Sequence, residues 1–181
     1  RVLESFVRDK IERIEVQRRG VTTQLVKVPI DEDDQFDVGG WKVEKPYAAK
    51  ADRNSVDSLI GALEWIDARR SLGEISAEER ERFGLTRPRY RVQYALGRER
   101  GGFAIGGPAA DGSGYYLHVP DQNRTYVVGK DLIEALDHEP ADYHTRELHD
   151  AVSVYALTKL SLRDGVGDQR ERRLERRDGL S

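Results

Sequence analysis

The chain has 181 residues, 38% hydrophobic and 35% charged, with 30 basic and 33 acidic side chains and a net charge of −3. That is enough for one domain with a core, or one and a part, and the aromatic and β-branched residues recurring along it exclude wholesale disorder. Charges of both signs are interleaved, which argues against a nucleic-acid footprint, and the absence of cysteine excludes a disulfide framework, a thiolate zinc site and a cysteine nucleophile.

The chain also lacks methionine and opens at Arg1, so it reads as a processed product or an excised piece. No stretch reaches the ~18 apolar residues that a membrane span needs. In chain order, Lys10 to Arg18 alternates around Ile14 and Val16 as a half-buried strand does. Arg19-Gly20 turns the chain, and Thr22 to Ile30 reads as the second arm of a hairpin. Asp31 to Gly40 is expected to be an acidic loop, and Trp41-Lys42-Val43 a short strand ended by Pro46.

Ser55 to Arg70 is the clearest predicted helix. Val56, Leu59, Ile60, Leu63 and Ile66 make one apolar stripe, with Asn54 or Ser55 as the cap and Arg69 and Arg70 in the last turn. Ser76-Ala77-Glu78-Glu79 is a capping box opening a short helix, which Gly84 closes in a left-handed cap with Leu85 as the following hydrophobic contact. Beyond Pro88 the spacing predicts a four-strand antiparallel meander. Its strands are Tyr90 to Leu96, Phe103 to Ile105, Tyr115 to Val119 and Thr125 to Val128, with a turn at Arg98 to Gly102. A short helix over Lys130 to Asp137, a connection over Ala141 to Leu148 and a strand over Val154 to Arg163 complete the pass.

Leu157, Leu160, Leu162 and Gly165 echo the spacing of Ile11, Ile14, Val16 and Gly20, and Leu174 falls about where Leu25 or Val26 falls. Either the chain begins a second copy of its opening hairpin, or two amphipathic hairpins merely look alike.

Several residue groups invite a chemical reading. His138, His144 and His149, with Glu139, Glu147 and Asp150 between them, are of the types that bind zinc, but spacings of six and five do not share a helix face. The run Asp31-Glu32-Asp33-Asp34 suggests calcium, yet Phe36 and Lys42 stand where an EF-hand needs glycine and glutamate. Gly101-Gly102 and Gly106-Gly107 lack the lysine, serine and following helix of a phosphate cradle and read as turns bounding a strand. No serine sits in a Gly-x-Ser-x-Gly elbow. The arginines from Arg163 to Arg177 alternate with acids, as on an exposed hairpin arm. Tyr90, Tyr94, Tyr115, Tyr116 and Tyr126 lie along the meander, where they either pack the sheet or offer a partner an aromatic face.

Trp41-Lys42-Val43-Glu44-Lys45-Pro46, then Ala51-Asp52, then Val56 with Leu59, Ile60 and Leu63 resemble the opening of the DUF4340 family. Phe83-Gly84-Leu85 before Pro88, Ile105-Gly106, Gly114-Tyr115-Tyr116 and Tyr143 to Leu148 continue the pattern in order, so the resemblance covers about residues 9 to 165. Members of this family look like single-span membrane proteins with most of the chain outside the cytoplasm, often associated with ABC-type transport systems of the gliding-motility type. The resemblance implies an anchor before Arg1 and a second repeat after Ser181, and it offers no catalytic residues to carry over.

These readings set the expectations. The fold is α+β: an antiparallel sheet, made of a meander and an N-terminal hairpin, packed by one main helix and two short ones. Residues 1–148 form the first unit and 149–181 the opening hairpin of a truncated second. The function is that of a non-catalytic, extracytoplasmic interaction domain anchored to the inner membrane. Its partner is a protein, a transporter or envelope component. No cofactor, metal or nucleic acid is expected. The alternative is a ligand-binding or metal-dependent enzyme domain whose site is completed by residues beyond Ser181.

Overall fold

A computed structural model describes residues 2–29, 40–144, 159–162 and 172–175. The chain divides into two compact units, Arg1–Thr145 and Arg146–Ser181.

The first unit opens with β1 (Ile11–Arg18) and β2 (Val21–Val28), an antiparallel hairpin in which Arg18 pairs with Val21. Its two turn residues, Arg19 and Gly20, both have positive φ, 48° and 80°. That is the backbone of the tight turn whose twist suits a hairpin. β3 (Gly40–Lys45) and β4 (Ala49–Lys50) follow, then α1 (Arg53–Glu64), β5 (Ala68–Gly73) and α2 (Ala77–Arg82). β6 (Tyr90–Leu96), β7 (Glu99–Pro108), β8 (Tyr115–Val119), β9 (Arg124–Val128) and α3 (Lys130–Leu136) close the unit. All nine strands join one antiparallel sheet in the order β4-β3-β2-β1-β6-β7-β8-β9-β5. The fold is therefore α+β. The hairpin and the meander are spliced where β1 pairs with β6, setting Ile14 opposite Tyr94 and Val16 opposite Val92.

One face of the sheet is the core. Val56, Leu59, Ile60 and Leu63 of α1 and Leu132 and Leu136 of α3 join Ile14, Leu25, Val43, Val92, Phe103, Ile105 and Leu117 in one cluster. Val2, Leu3 and Phe6, which the sequence pattern does not single out, belong to it as well. The Phe6 ring stands edge-on to Tyr94, 5.1 Å between centroids. Burial of this continuous apolar face is what holds the sheet and its helices together.

The predicted main helix is too long. It ends at Trp65, and residues 68–73 pair instead with β9 as an edge strand. Ile66 is buried beyond the helix end, and Arg69 and Arg70 reach the β8-side loop, where Arg69 donates to the Ser113 carbonyl and Arg70 pairs with Asp111. The cap is Asp52, whose carboxylate accepts from the Ser55 N–H at 2.8 Å; neither Asn54 nor Ser55 fills that role. The meander has the four expected strands, but the turn between its first two is only Gly97-Arg98, and both glycine pairs lie inside β7.

The second unit contains β10 (Lys159–Leu162) and β11 (Arg172–Glu175), antiparallel, with Leu160 opposite Leu174. Among the described residues no helix is long and apolar enough to cross a membrane.

Candidate functional site

The face of the sheet opposite α1 is polar. Strand alternation puts Arg13, Glu15 and Gln17 of β1, Arg91 and Gln93 of β6, and Ala104 of β7 on that side, because Ile14, Val16, Val92, Tyr94, Phe103 and Ile105 take the other. α2 covers only its β7-β8-β9 end. There Phe83 stacks on Tyr116, 3.9 Å between centroids and 12° between planes, over a small second cluster with Ala109, Val127 and Leu72.

The seat of α2 explains the glycines that its neighbours carry. Ser76 accepts from the Glu79 N–H while the Glu79 carboxylate accepts from the Ser76 N–H, closing the capping box. At the other end the Leu85 N–H donates to Arg80 O and the Gly84 N–H to Glu81 O, with Gly84 at φ 71°. This is the double-bonded left-handed cap read from the sequence. The freed Phe83 carbonyl then accepts from the Gly107 N–H of β7 at 2.8 Å. A side chain at Gly106 would run into that carbonyl. The pair Gly106-Gly107 is thus a docking seat for a helix end, and not a turn.

What α2 leaves uncovered is a broad groove of about 1300 Å³ across β2, β1, β6 and β7. Arg80 and Leu85 wall it on the α2 side, and Pro120 and Asp121 lie at its rim. Its floor is low where Ala95, Gly102 and Ala104 meet. A Cβ on Gly102 would approach the Val92 carbonyl to 2.5 Å, so that position cannot carry a side chain without moving the strands apart.

His118, not singled out by sequence reasoning, lies at the groove margin and is 6% exposed. Its Nδ1 is 3.0 Å from the Thr125 hydroxyl and its Nε2 3.3 Å from the Arg80 guanidinium. Because a guanidinium can only donate, Nε2 accepts and Nδ1 carries the proton toward Thr125. Burial, and then the neighbouring Arg80 charge, hold the imidazole below its ordinary value. On the core face a second polar group ties β1 and β6 to the end of α3. Arg18 pairs with Asp137 and Glu139, and the Tyr90 hydroxyl donates to Asp137 at 2.9 Å. The Tyr90 bond, followed by Arg18, depresses the Asp137 carboxyl. This cluster clamps the end of α3 to β1 and β6.

The other sequence candidates separate. His138 lies 5.8 Å from the Tyr143 ring, and His144 sits edge-on to Tyr47, so each packs on an aromatic ring, while His149 lies outside the described residues. Among the described residues no three metal-ligating side chains gather. The acidic run Asp31 to Asp34 and the turn at Asp164-Gly165 also lie outside them. Tyr90, Tyr94, Tyr116 and Tyr126 are buried and Tyr115 half-buried, so the tyrosines pack the sheet and offer no aromatic face.

A family model described as a domain of unknown function, DUF4340, matches residues 41–180. No curated protein and no solved structure matches the chain.

Proposed function

The chain belongs to the DUF4340 family, and from that premise we propose that it is a non-catalytic interaction domain of a membrane-anchored extracytoplasmic protein, accessory to an ABC-type transport system of the gliding type. The observation that carries the interaction reading is the uncovered face of the sheet. A sheet packed on one side needs only water on the other, yet here a helix is seated by backbone bonds over part of that side and leaves a shaped, polar groove over the rest. Such a surface suits a protein partner, whose interface is polar at the rim and set by shape as much as by apolar area. The location and the transporter follow from the family resemblance, and in this reading the tether lies outside the described residues. The hairpin β10–β11 is read as opening a second copy of the unit, with Leu160 opposite Leu174 standing where Ile14 stands opposite Leu25.

The test is a photo-crosslinking residue placed at Gln93 on the groove floor and, separately, at Ser58 on the exposed side of α1, in the full-length protein within its own cells. The reading expects an adduct with a transporter subunit from Gln93 and none from Ser58. Equal adducts from both positions, or none from Gln93, would refute it.

A further inference from the structure

The inference that follows rests on the groove being the working surface, and it concerns what the groove accepts. We propose that it takes an extended, carboxylate-rich polypeptide segment of a partner protein.

Three arginines rise from one face of the sheet around the low central strip. Arg13 and Arg100 both stand opposite Ala95, so they lie two strands apart, about 10 Å. Arg91 lies four residues along β6 from Ala95, about 13 Å away. All three are exposed, and none of their side chains makes a hydrogen bond or ion pair with a described residue. Some cations elsewhere on the surface have found acids: Arg8 with Asp57 at 3.1 Å, Lys42 with Glu44 at 3.1 Å and Arg70 with Asp111 at 3.5 Å. Others, such as Arg87, Arg98 and Arg124, have none among the described residues. What sets the groove apart is that three unpaired guanidinium groups share one face of the sheet. The local balance of charge is also reversed. Lys10, Arg13, Lys27, Arg80, Arg91 and Arg100 line the groove against four carboxylates, in a chain whose acids outnumber its bases 33 to 30.

Guanidinium groups recognise carboxylates through paired, charge-assisted hydrogen bonds, and three held apart on a rigid sheet read a spacing. An extended peptide advances about 3.3 Å per residue, so carboxylates three to four residues apart match the gaps. Ala95, Gly102 and Ala104 leave room for its backbone, and the Gln93 amide can both donate to it and accept from it. A continuous polyanion fits less well, because Glu12 and Glu15 flank Arg13 along the same strand and repel an unbroken run of phosphates. A bilayer surface is flat, whereas these arginines sit in a groove walled by Arg80 and Leu85.

The experiment is fluorescence anisotropy on the 181-residue chain with a labelled Gly/Ser peptide carrying glutamate at every third position. The same peptide with lysine, phosphatidylglycerol vesicles and a single-stranded oligonucleotide serve as competing probes. The glutamate peptide should bind saturably and lose affinity with added salt. Each of Arg13→Ser, Arg91→Ser and Arg100→Ser should weaken it roughly tenfold, the scale of one charge-assisted bond, while Arg19→Ser on the hairpin turn should leave it unchanged. Melting curves confirm that the variants fold. Equal binding of the lysine peptide, no loss in the triple variant, or tighter binding of vesicles or oligonucleotide would overturn the proposal. So would an arginine-dependent dimer in sedimentation, which would make a second copy the occupant. A Gln93 adduct in cells without glutamate-peptide binding would overturn the acidic occupant while leaving the groove as an interface. Peptide binding without any adduct would sustain the chemistry and defeat the transporter reading.

Discussion

Replacing Gly106 by alanine adds one methyl group and should do disproportionate damage. The new Cβ would sit inside van der Waals contact of the Phe83 carbonyl oxygen, 3.0 Å from the Gly84 carbonyl carbon and 3.2 Å from the Leu85 nitrogen. All three neighbours are backbone, so no side chain can swing aside. The cap of α2 must back away from β7, which sacrifices the Gly107 N–H to Phe83 bond, worth about 1 kcal/mol. Overpacking strain adds about 1–3 kcal/mol. The stiffer unfolded chain returns about 0.4–1 kcal/mol. The net loss is about 2 kcal/mol, or a fall in Tm of about 4–8 °C for a chain of this size. Gly107→Ala is the internal control. Its Cβ would meet only the Phe83 oxygen, at an ordinary 3.6 Å, and its N–H is kept. That variant should melt at the parent's temperature or up to about 4 °C above it. Thermal melts of the pair, with hydrogen exchange at Gly84 and Leu85, make the comparison. Equal shifts, or a neutral Gly106→Ala, would show that the α2 cap does not rest on β7 as described.

Leu63→Ala empties a fully buried position in the last turn of α1 and should cost roughly 2–5 kcal/mol in denaturant unfolding. Phe6→Ala should cost about 3–5 kcal/mol, because the ring is buried against Tyr94; an unchanged midpoint would make the N-terminal segment a mere tail. His118 binds fewer protons folded than unfolded, since its folded value lies below the ordinary 6.5, so acid favours unfolding. Its share of stability is complete above pH 6.5 and is lost as pH falls below that towards the folded value. His118→Asn should therefore flatten stability against pH in that window relative to the parent, and parallel curves would remove the buried imidazole as the cause.

Much of the fold is legible because local rules and tertiary packing agree. Tyr90 to Leu96 alternates in sequence and in burial alike, and Ser76, Glu79 and Gly84 mark both ends of α2. The failures share a cause: the decisive partner is distant in sequence. Ile66, Arg69 and Arg70 satisfy the apolar stripe and the dipole preference of a helix, but β9 offers residues 68–73 a ladder of backbone bonds, which no side-chain period announces. Val2, Leu3 and Phe6 are too few to show a period, and Tyr94 makes them core. Gly106 looks like a turn residue until a carbonyl from Phe83 arrives over it. His118 stands alone among apolar neighbours on β8, and the only hint of its role is the threonine that strand pairing brings opposite it.

The groove is the sharpest case. Arg13 lies on β1, Arg91 and Arg100 on β6 and β7, and only the splice of the opening hairpin to the meander puts them on one surface. Its outer wall is held differently, by caps, backbone bonds and the Phe83 ring at the end of α2, with no buried residue within the helix itself. Charge and shape can therefore be separated. In Gly106→Ala every arginine of the floor is intact, but the wall carrying Arg80 and Leu85 has moved. If the glutamate peptide binds this variant as well as it binds the parent, the floor alone recognises carboxylates and the wall is scaffolding. If affinity falls while salt dependence stays the same, the wall confines the peptide's backbone. The work of α2 is then to turn an open sheet face into a slot.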